Sequence, residues 1–142
     1  MSTPLPDAVY LDEPWLSIIW DRDLTCVYAK FKAFANSAEF RAGVMRILDA
    51  INDKQAPFLI SDNRKLEGVA VEDQLWLRDS WMPLAVAAGI KRIAVVLPRQ
   101  GLGKIASEEI ISEFGSTPFV TRTFTSLDEA MWWVVGNERP TD

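Results

Sequence analysis

The chain of 142 residues contains no histidine and a single cysteine, Cys26. One cysteine cannot form a disulfide within the chain, and without histidine the ordinary structural zinc sites are excluded. Histidine is also the usual base for a serine or cysteine nucleophile and the usual acid or base near neutral pH. The sequence therefore has no recognisable catalytic set. We expect a protein that is not an enzyme and that holds no metal and no cofactor.

Long apolar segments and concentrated positive charge are missing as well. The longest uninterrupted apolar segment is residues 84–90, whereas a helix that spans a bilayer needs about twenty residues. The first residues lack the basic and apolar regions of a secretory signal, so we expect a cytoplasmic location without a membrane span. The formal net charge is -5 and the basic residues are scattered, which argues against nucleic acid as a partner.

The composition is that of one ordinary globular domain. Hydrophobic residues make up 49% of the chain and charged residues 25%, and these proportions are far from those of disordered chains. The length also fits a single domain. We predict an N-terminal tail at residues 1–8, one domain over residues 9–136 and a C-terminal tail at residues 137–142.

The hydrophobic pattern predicts the order β-β-β-α-β-α-β-α-β-α. The strands are expected at residues 9–11, 15–20, 24–31, 58–61, 92–97 and 119–124. The helices are expected at residues 36–51, 72–88, 101–114 and from 126 onward. A polar turn at residues 21–23 makes the opening strands an antiparallel hairpin, and the later alternation favours parallel strands. The prediction is an α/β fold with a single, mostly parallel sheet, an antiparallel N-terminal hairpin and four helices.

The second predicted helix contains a proline, Pro83. Proline lacks the backbone N–H and its ring crowds the carbonyl of Asp79, so we expect a kink or a break near Ser80. Trp76 and Trp81 flank this point. A kink there would open an apolar cleft suited to an apolar or amphipathic ligand. The competing interpretation is that both indole rings fill the core.

Three segments together resemble a known family. They are residues 59–64 (LISDNR), residues 72–77 leading to 81–84 (EDQLWL and WMPL), and residues 89–98 (GIKRIAVVLP). In this pattern the chain is similar to the small SpoIIAA-like proteins of the STAS-like fold group, to which the CRAL-TRIO lipid-binding domains are related in architecture. The resemblance covers roughly residues 9–135. It implies a STAS-like fold and a regulatory module that acts by protein contact.

The resemblance also locates a departure from the family. In the anti-sigma-factor antagonists of the group, a serine or threonine beside an aspartate is phosphorylated to control partner binding. Asp62 matches the aspartate, but Asn63 and Arg64 stand where the hydroxyl residue is expected. Asparagine cannot be phosphorylated in that way. The resemblance therefore implies protein contact through this surface without an evident switch serine.

Four consecutive polar residues, Asp62, Asn63, Arg64 and Lys65, follow a predicted parallel strand. Open α/β sheets bind ligands at the carboxyl ends of such strands. We therefore expect a ligand or partner surface here. The competing interpretation is a solvated loop in which the aspartate and asparagine bond local backbone groups.

The last predicted helix carries two adjacent tryptophans, Trp132 and Trp133, one on either side of its apolar stripe. Tryptophan is enriched at interface hot spots, so exposure of either ring would favour a homodimer or a partner surface. Coverage by a loop or by the C-terminal tail is the alternative.

Three other features favour structural roles. Residues 101–104 (GLGK) have the glycines of a nucleotide-binding loop, but such a loop requires glycine where Pro98 stands and a hydroxyl residue where Ile105 stands. Asp21 and Asp23 resemble a cation site but lack a third ligand, which favours a turn. Cys26 lies in an alternating strand and is expected to be a small buried apolar residue. The leading hypothesis is a non-enzymatic binding module, and the second is a small carrier.

Overall fold

A computed structural model of the chain describes residues 9–115 and 117–136. The two predicted tails, residues 1–8 and 137–142, lie outside the described residues. The strands are Val9–Asp12 (β1), Leu16–Asp21 (β2), Cys26–Phe31 (β3), Phe58–Asp62 (β4), Arg92–Val96 (β5) and Val120–Phe124 (β6). The helices in the described ranges are Ser37–Lys54 (α1), residues 71–87 (α2), Leu102–Phe114 (α3) and Leu127–Val134 (α4). None of them is long and apolar enough to cross a membrane.

The six strands form one mixed sheet in which they lie side by side in chain order. β1, β2 and β3 pair antiparallel, whereas β3, β4, β5 and β6 pair parallel. The predicted α/β class, the antiparallel opening and the order of elements are confirmed. Because β3, β4 and β5 run in the same direction, the loops that follow them meet at one edge of the sheet, which we call the carboxyl edge.

Helices cover the two faces of the sheet unequally. α1, α2 and α3 pack over one face in the larger core, and α4 packs over the other face in a smaller core. β5 is buried on both sides, since Ile93 and Val95 face the larger core while Ala94 and Val96 face the smaller one. This arrangement confirms the expectation, drawn from its unbroken apolar run, that helices cover both faces of this strand.

Local hydrogen bonds at the helix starts follow the sequence signals. The side chain of Asn36 accepts from the backbone N–H of Glu39 at 2.8 Å, and the Glu39 carboxylate accepts from the Asn36 N–H at 2.9 Å. These two bonds make a complete capping box before α1. The Ser126 hydroxyl oxygen accepts from the Glu129 N–H before α4.

The kink or break predicted near Ser80 from Pro83 takes the form of a π-helical irregularity, through which the helix continues without a break. Residues 77–81 form a π-helical turn, and the N–H of Met82 bonds the carbonyl of Leu77 five residues earlier. Pro83 then lies in the first turn of the α-helical segment that follows, where a missing N–H is tolerated. The π-helical turn therefore accommodates Pro83 within one continuous helix.

The start of α3 is pressed against the loop that follows β4. A Cβ atom built at Gly103 would lie 1.7 Å from the carbonyl oxygen of Leu66. Only glycine allows the backbone of α3 to approach this carbonyl so closely. Gly103 therefore fixes the position of the α3 start at the carboxyl edge.

Replacing Gly103 with alanine is expected to lower the free energy of unfolding by about 3 kcal/mol, because backbone atoms must move to make room for the methyl group. Lys104→Ala, one residue further along the same helix, is the matched control and should change stability by less than about 0.5 kcal/mol. Urea unfolding followed by circular dichroism measures both. Equal midpoints for the two variants would contradict the close approach.

Candidate functional site

The last residue of β4, Asp62, is buried and fully engaged. Its carboxylate accepts from the Tyr28 hydroxyl at 2.5 Å and from Nε and Nη2 of Arg64 at 2.8 and 2.7 Å. Tyr28 lies on the neighbouring strand β3, and Arg64 folds back from the loop after β4. Asp62 also accepts from the backbone N–H of Arg64 at 3.3 Å, so it makes the local backbone bond of the competing interpretation. Its side chain is buried, however, and faces neither solvent nor a ligand.

The protonation states of this cluster follow from the same contacts. Burial alone would raise the pKa of Asp62, but the hydrogen bonds from Arg64 and Tyr28 and the charge of Arg64 outweigh it, so the pKa lies below its ordinary value. Burial raises the pKa of the Tyr28 phenol, and the hydrogen bond to Asp62 raises it further. Asp62 thus stays a carboxylate and Tyr28 stays a proton donor at neutral pH.

Asn63 points to the opposite face of the sheet and is buried as well. Its amide oxygen accepts from the Ser61 hydroxyl at 2.7 Å, and its amide nitrogen donates to the Ser107 hydroxyl at 3.0 Å. Ser107 in turn donates to the carbonyl of Gly103 at 2.8 Å. Asn63 therefore ties β4 to α3, and the position that the resemblance assigns to the switch hydroxyl is turned inward.

The chain reaches the protein surface directly after Asp62 and Asn63. Arg64 and Lys65 are exposed and line an open groove of about 560 Å³ at the carboxyl edge. Lys32, which follows β3, and Gln100, which follows β5, line the same groove. The sequence predicted the surface from Asp62, Asn63, Arg64 and Lys65, together with Trp76 and Trp81, and did not include Lys32 or Gln100. The shared parallel direction of β3, β4 and β5 is the signal that would have added the other two.

We call this surface the cationic groove and define it by its lining cations Lys32, Arg64 and Lys65. Arg99 and Lys104 are chain neighbours of lining residues. Lys32 pairs with Asp12 at 3.1 Å and Arg64 pairs with Asp62. The structure gives Lys65, Arg99 and Lys104 no ion pair with any residue in the described ranges. The one acidic residue among the described lining residues is Glu67. Because Lys32 and Arg64 are neutralised by their partners, the positive excess at the groove comes from Lys65 and its neighbours Arg99 and Lys104 against Glu67, on a chain whose net charge is -5.

Trp76 and Trp81 do not share a pocket. Trp81 is buried, its Nε1 donates to the carbonyl of Val44 at 2.7 Å, and its ring lines an internal cavity of about 80 Å³ beneath α1, α2 and α3. Trp76 lies outside this cavity, with the guanidinium of Arg41 at 5.0 Å from its ring. Trp81 therefore belongs to the larger core beside the cavity, and Trp76 is half-buried and packs against the same core, which favours the core-filling interpretation.

The two tryptophans of α4 also differ. Trp133 is 5% exposed and packs in the smaller core, where Arg92 and Arg122 lie 5.0 and 5.1 Å from its ring. This burial corrects the prediction that Trp133 flanks the buried face, since the sheet and the two guanidinium groups cover its ring. Trp132 is 52% exposed and keeps its predicted position at a surface.

The hairpin residues have structural environments. Cys26 is buried, and burial together with the negative charge of Asp21 raises its pKa to about 12, so the thiol stays protonated and unreactive at neutral pH. Asp21 accepts from the N–H of Leu24 at 3.1 Å, as the turn interpretation requires. Among the described residues, no three His, Cys, Asp or Glu side chains are grouped to hold a metal ion.

No protein-family model matches the chain, and no curated protein sequence or solved structure is significantly similar to it. The resemblance to SpoIIAA-like proteins therefore depends on residues 59–64, 72–77, 81–84 and 89–98 alone.

The Asp62 cluster predicts a pH dependence of stability. Because the pKa of Asp62 is lower in the folded chain than in the unfolded chain, its contribution is present above the ordinary pKa of an aspartate and is lost as the pH falls through the lowered one. Asp62→Asn should therefore destabilise the protein by about 2 kcal/mol at pH 7 and by less near pH 3. Urea midpoints across this range measure the difference.

Asp23→Asn provides the control, since it removes one exposed carboxylate from the hairpin turn without touching the cluster. If Asp62→Asn and wild type differ by the same amount at pH 7 and pH 3, the carboxylate is not held as described.

Proposed function

We propose that the protein is a non-enzymatic binding module of STAS-like type that acts by contact with another protein at the carboxyl edge of its sheet. One observation carries the proposal. Asp62 and Asn63 are the polar residues best placed for catalysis or for a phosphorylation switch. Their side chains instead form hydrogen bonds with other residues of the chain. The charges of Lys65 and Arg99 instead face an open surface.

The electrostatics of the edge support contact rather than catalysis. A general acid or base works best with a pKa near the operating pH. At this edge the pKa of Asp62 is lowered and that of Tyr28 is raised, so both move away from neutrality. Neither group is poised to exchange a proton at pH 7.

The sheet order supports the STAS-like part of the proposal. Four parallel strands in chain order, three helices on one face and an antiparallel opening agree with the architecture that the resemblance implies. A module of this type without a switch serine would bind its partner constitutively or be controlled through the partner.

Chemical cross-linking in a native extract tests the contact surface. The purified protein is cross-linked to extract proteins, and the captured proteins are quantified by mass spectrometry. We expect Lys65→Glu/Arg99→Glu to capture at least tenfold less partner protein than wild type does, because two favourable charges become repulsive. Both side chains are exposed and unpaired among the described residues, so the double variant should fold normally.

The matched control is Arg22→Glu/Lys91→Glu, which makes the same charge change at exposed positions on the opposite edge of the sheet. It should capture the same proteins as wild type. Equal capture by all three proteins, or loss only in the control, would refute contact at the carboxyl edge.

The internal cavity supports a second candidate, a carrier for a small apolar molecule beside Trp81. Its volume of about 80 Å³ is well below the 150 Å³ of an engineered cavity that binds benzene, so a lipid chain does not fit. The wall is mostly apolar, with Ser61, Asn63 and Ser107 as its polar members. This candidate therefore requires a very small ligand.

Xenon under pressure is the probe for this candidate. If the cavity binds ligands, xenon should shift the NMR signals of the Trp81 indole and of the Val95 methyl groups in wild type, and Val95→Ile should abolish the shifts by filling the space. Val120→Ile, the same substitution at an exposed position of β6, should leave them unchanged. Absence of shifts in wild type would rule out the carrier.

A further inference from the structure

The cationic groove has an apolar rim. Leu102 lines the groove and is 71% exposed, and Ile105 lies one turn later on the same side of α3 and is also exposed. Phe34, 60% exposed, lies with Gly68 around a neighbouring pocket of about 120 Å³. A Cβ atom at Gly68 would lie 3.8 Å from that of Leu102, so Gly68 connects the two parts of the rim.

This combination is unusual for a solvated edge. Single exposed apolar side chains are normal on proteins, but a cluster bordered by charged residues marks a site of protein contact. Phe34, Leu102 and Ile105 are presented by two separate segments of the carboxyl edge, the loop after β3 and the start of α3. Their shared position next to unpaired cations points to a ligand with both apolar and acidic groups.

Building on the proposed function, we propose that the groove binds an acidic, amphipathic peptide segment of the partner protein. Its carboxylates would pair with Lys65, Arg99 and Lys104, and its apolar side chains would cover the rim. Charge complementarity selects this partner, because Glu67 is the one acidic residue among the described lining residues. A long polyanion fits less well, since the net charge of -5 repels it beyond the groove.

A random dodecapeptide library displayed on phage tests the partner's chemistry without assuming a sequence. The library is selected on the wild-type protein, and enriched peptides are synthesised with a fluorescent label for anisotropy titrations. We expect enriched peptides to be rich in Asp and Glu and to carry at least two large apolar residues. Their affinity should fall at least fivefold between 50 and 300 mM NaCl because salt screens the charge pairs.

Two double variants test the charged residues and the apolar rim of the groove separately. Lys65→Glu/Arg99→Glu should weaken binding at least tenfold through charge, and Phe34→Ser/Leu102→Ser at least tenfold through loss of apolar contact. Arg22→Glu/Lys91→Glu should bind within twofold of wild type. Circular dichroism and urea unfolding establish that each variant is folded before its affinity is interpreted.

Failure of this inference is distinguishable from failure of the proposed function. If selection yields no peptides, or neutral or basic ones, or if the groove variants bind the selected peptides normally, the partner's chemistry is wrong. Cross-linked partners that depend on Lys65 and Arg99 would still uphold protein contact at the edge. Binding of vesicles with 30% phosphatidylserine in place of acidic peptides would overturn the peptide inference in favour of a membrane surface.

Discussion

Two consecutive residues, Asp62 at the end of β4 and Asn63 directly after it, hold the carboxyl edge together from opposite faces of the sheet. Adjacent strand residues point in opposite directions, so Asp62 meets Tyr28 and Arg64 on one face while Asn63 meets Ser61 and Ser107 on the other. A buried polar group left without a partner costs about 1–3 kcal/mol, and here every bond of the pair is made inside the protein. The loop after β4 is therefore fixed before any partner arrives.

The rest of the edge is built on that fixed loop. Leu66 presents its carbonyl to the α3 backbone, and Gly103 allows the two to meet. Ser107, one turn later, closes the link to Asn63. Lys65, Leu102 and Lys104 are consequently displayed on a rigid frame, and a preorganised surface loses less entropy when it binds.

The sequence predicted the parts of this fold that depend on local signals. The capping box of Asn36 and Glu39, the hairpin at Asp21 and the unbroken apolar run of β5 each depend on neighbouring residues, and each was found as expected. The inward orientation of Asp62 and Asn63 was missed because their partners Tyr28 and Ser107 are 34 and 44 positions away in the chain.

Tertiary packing also explains what the helix patterns did not determine. Pro83 predicted a kink or a break near Ser80, and the structure has a π-helical turn at residues 77–81, where the Trp81 indole bonds the carbonyl of Val44 on α1. Helical spacing alone put Trp133 beside the buried face, whereas Arg92 and Arg122 enclose its ring. Residue type identified the charged and apolar surface candidates, but only the parallel alignment of three strands brought Lys32, Lys65 and Gln100 to one groove.

Hydrogen–deuterium exchange of the protein with and without its captured partner tests most directly whether the carboxyl edge is the binding surface. We expect added protection at residues 32–36, 64–68 and 98–105, with unchanged exchange at residues 21–25 and 89–91 on the opposite edge. Protection confined to the opposite edge or to α4 around Trp132, with the carboxyl edge unchanged, would contradict it.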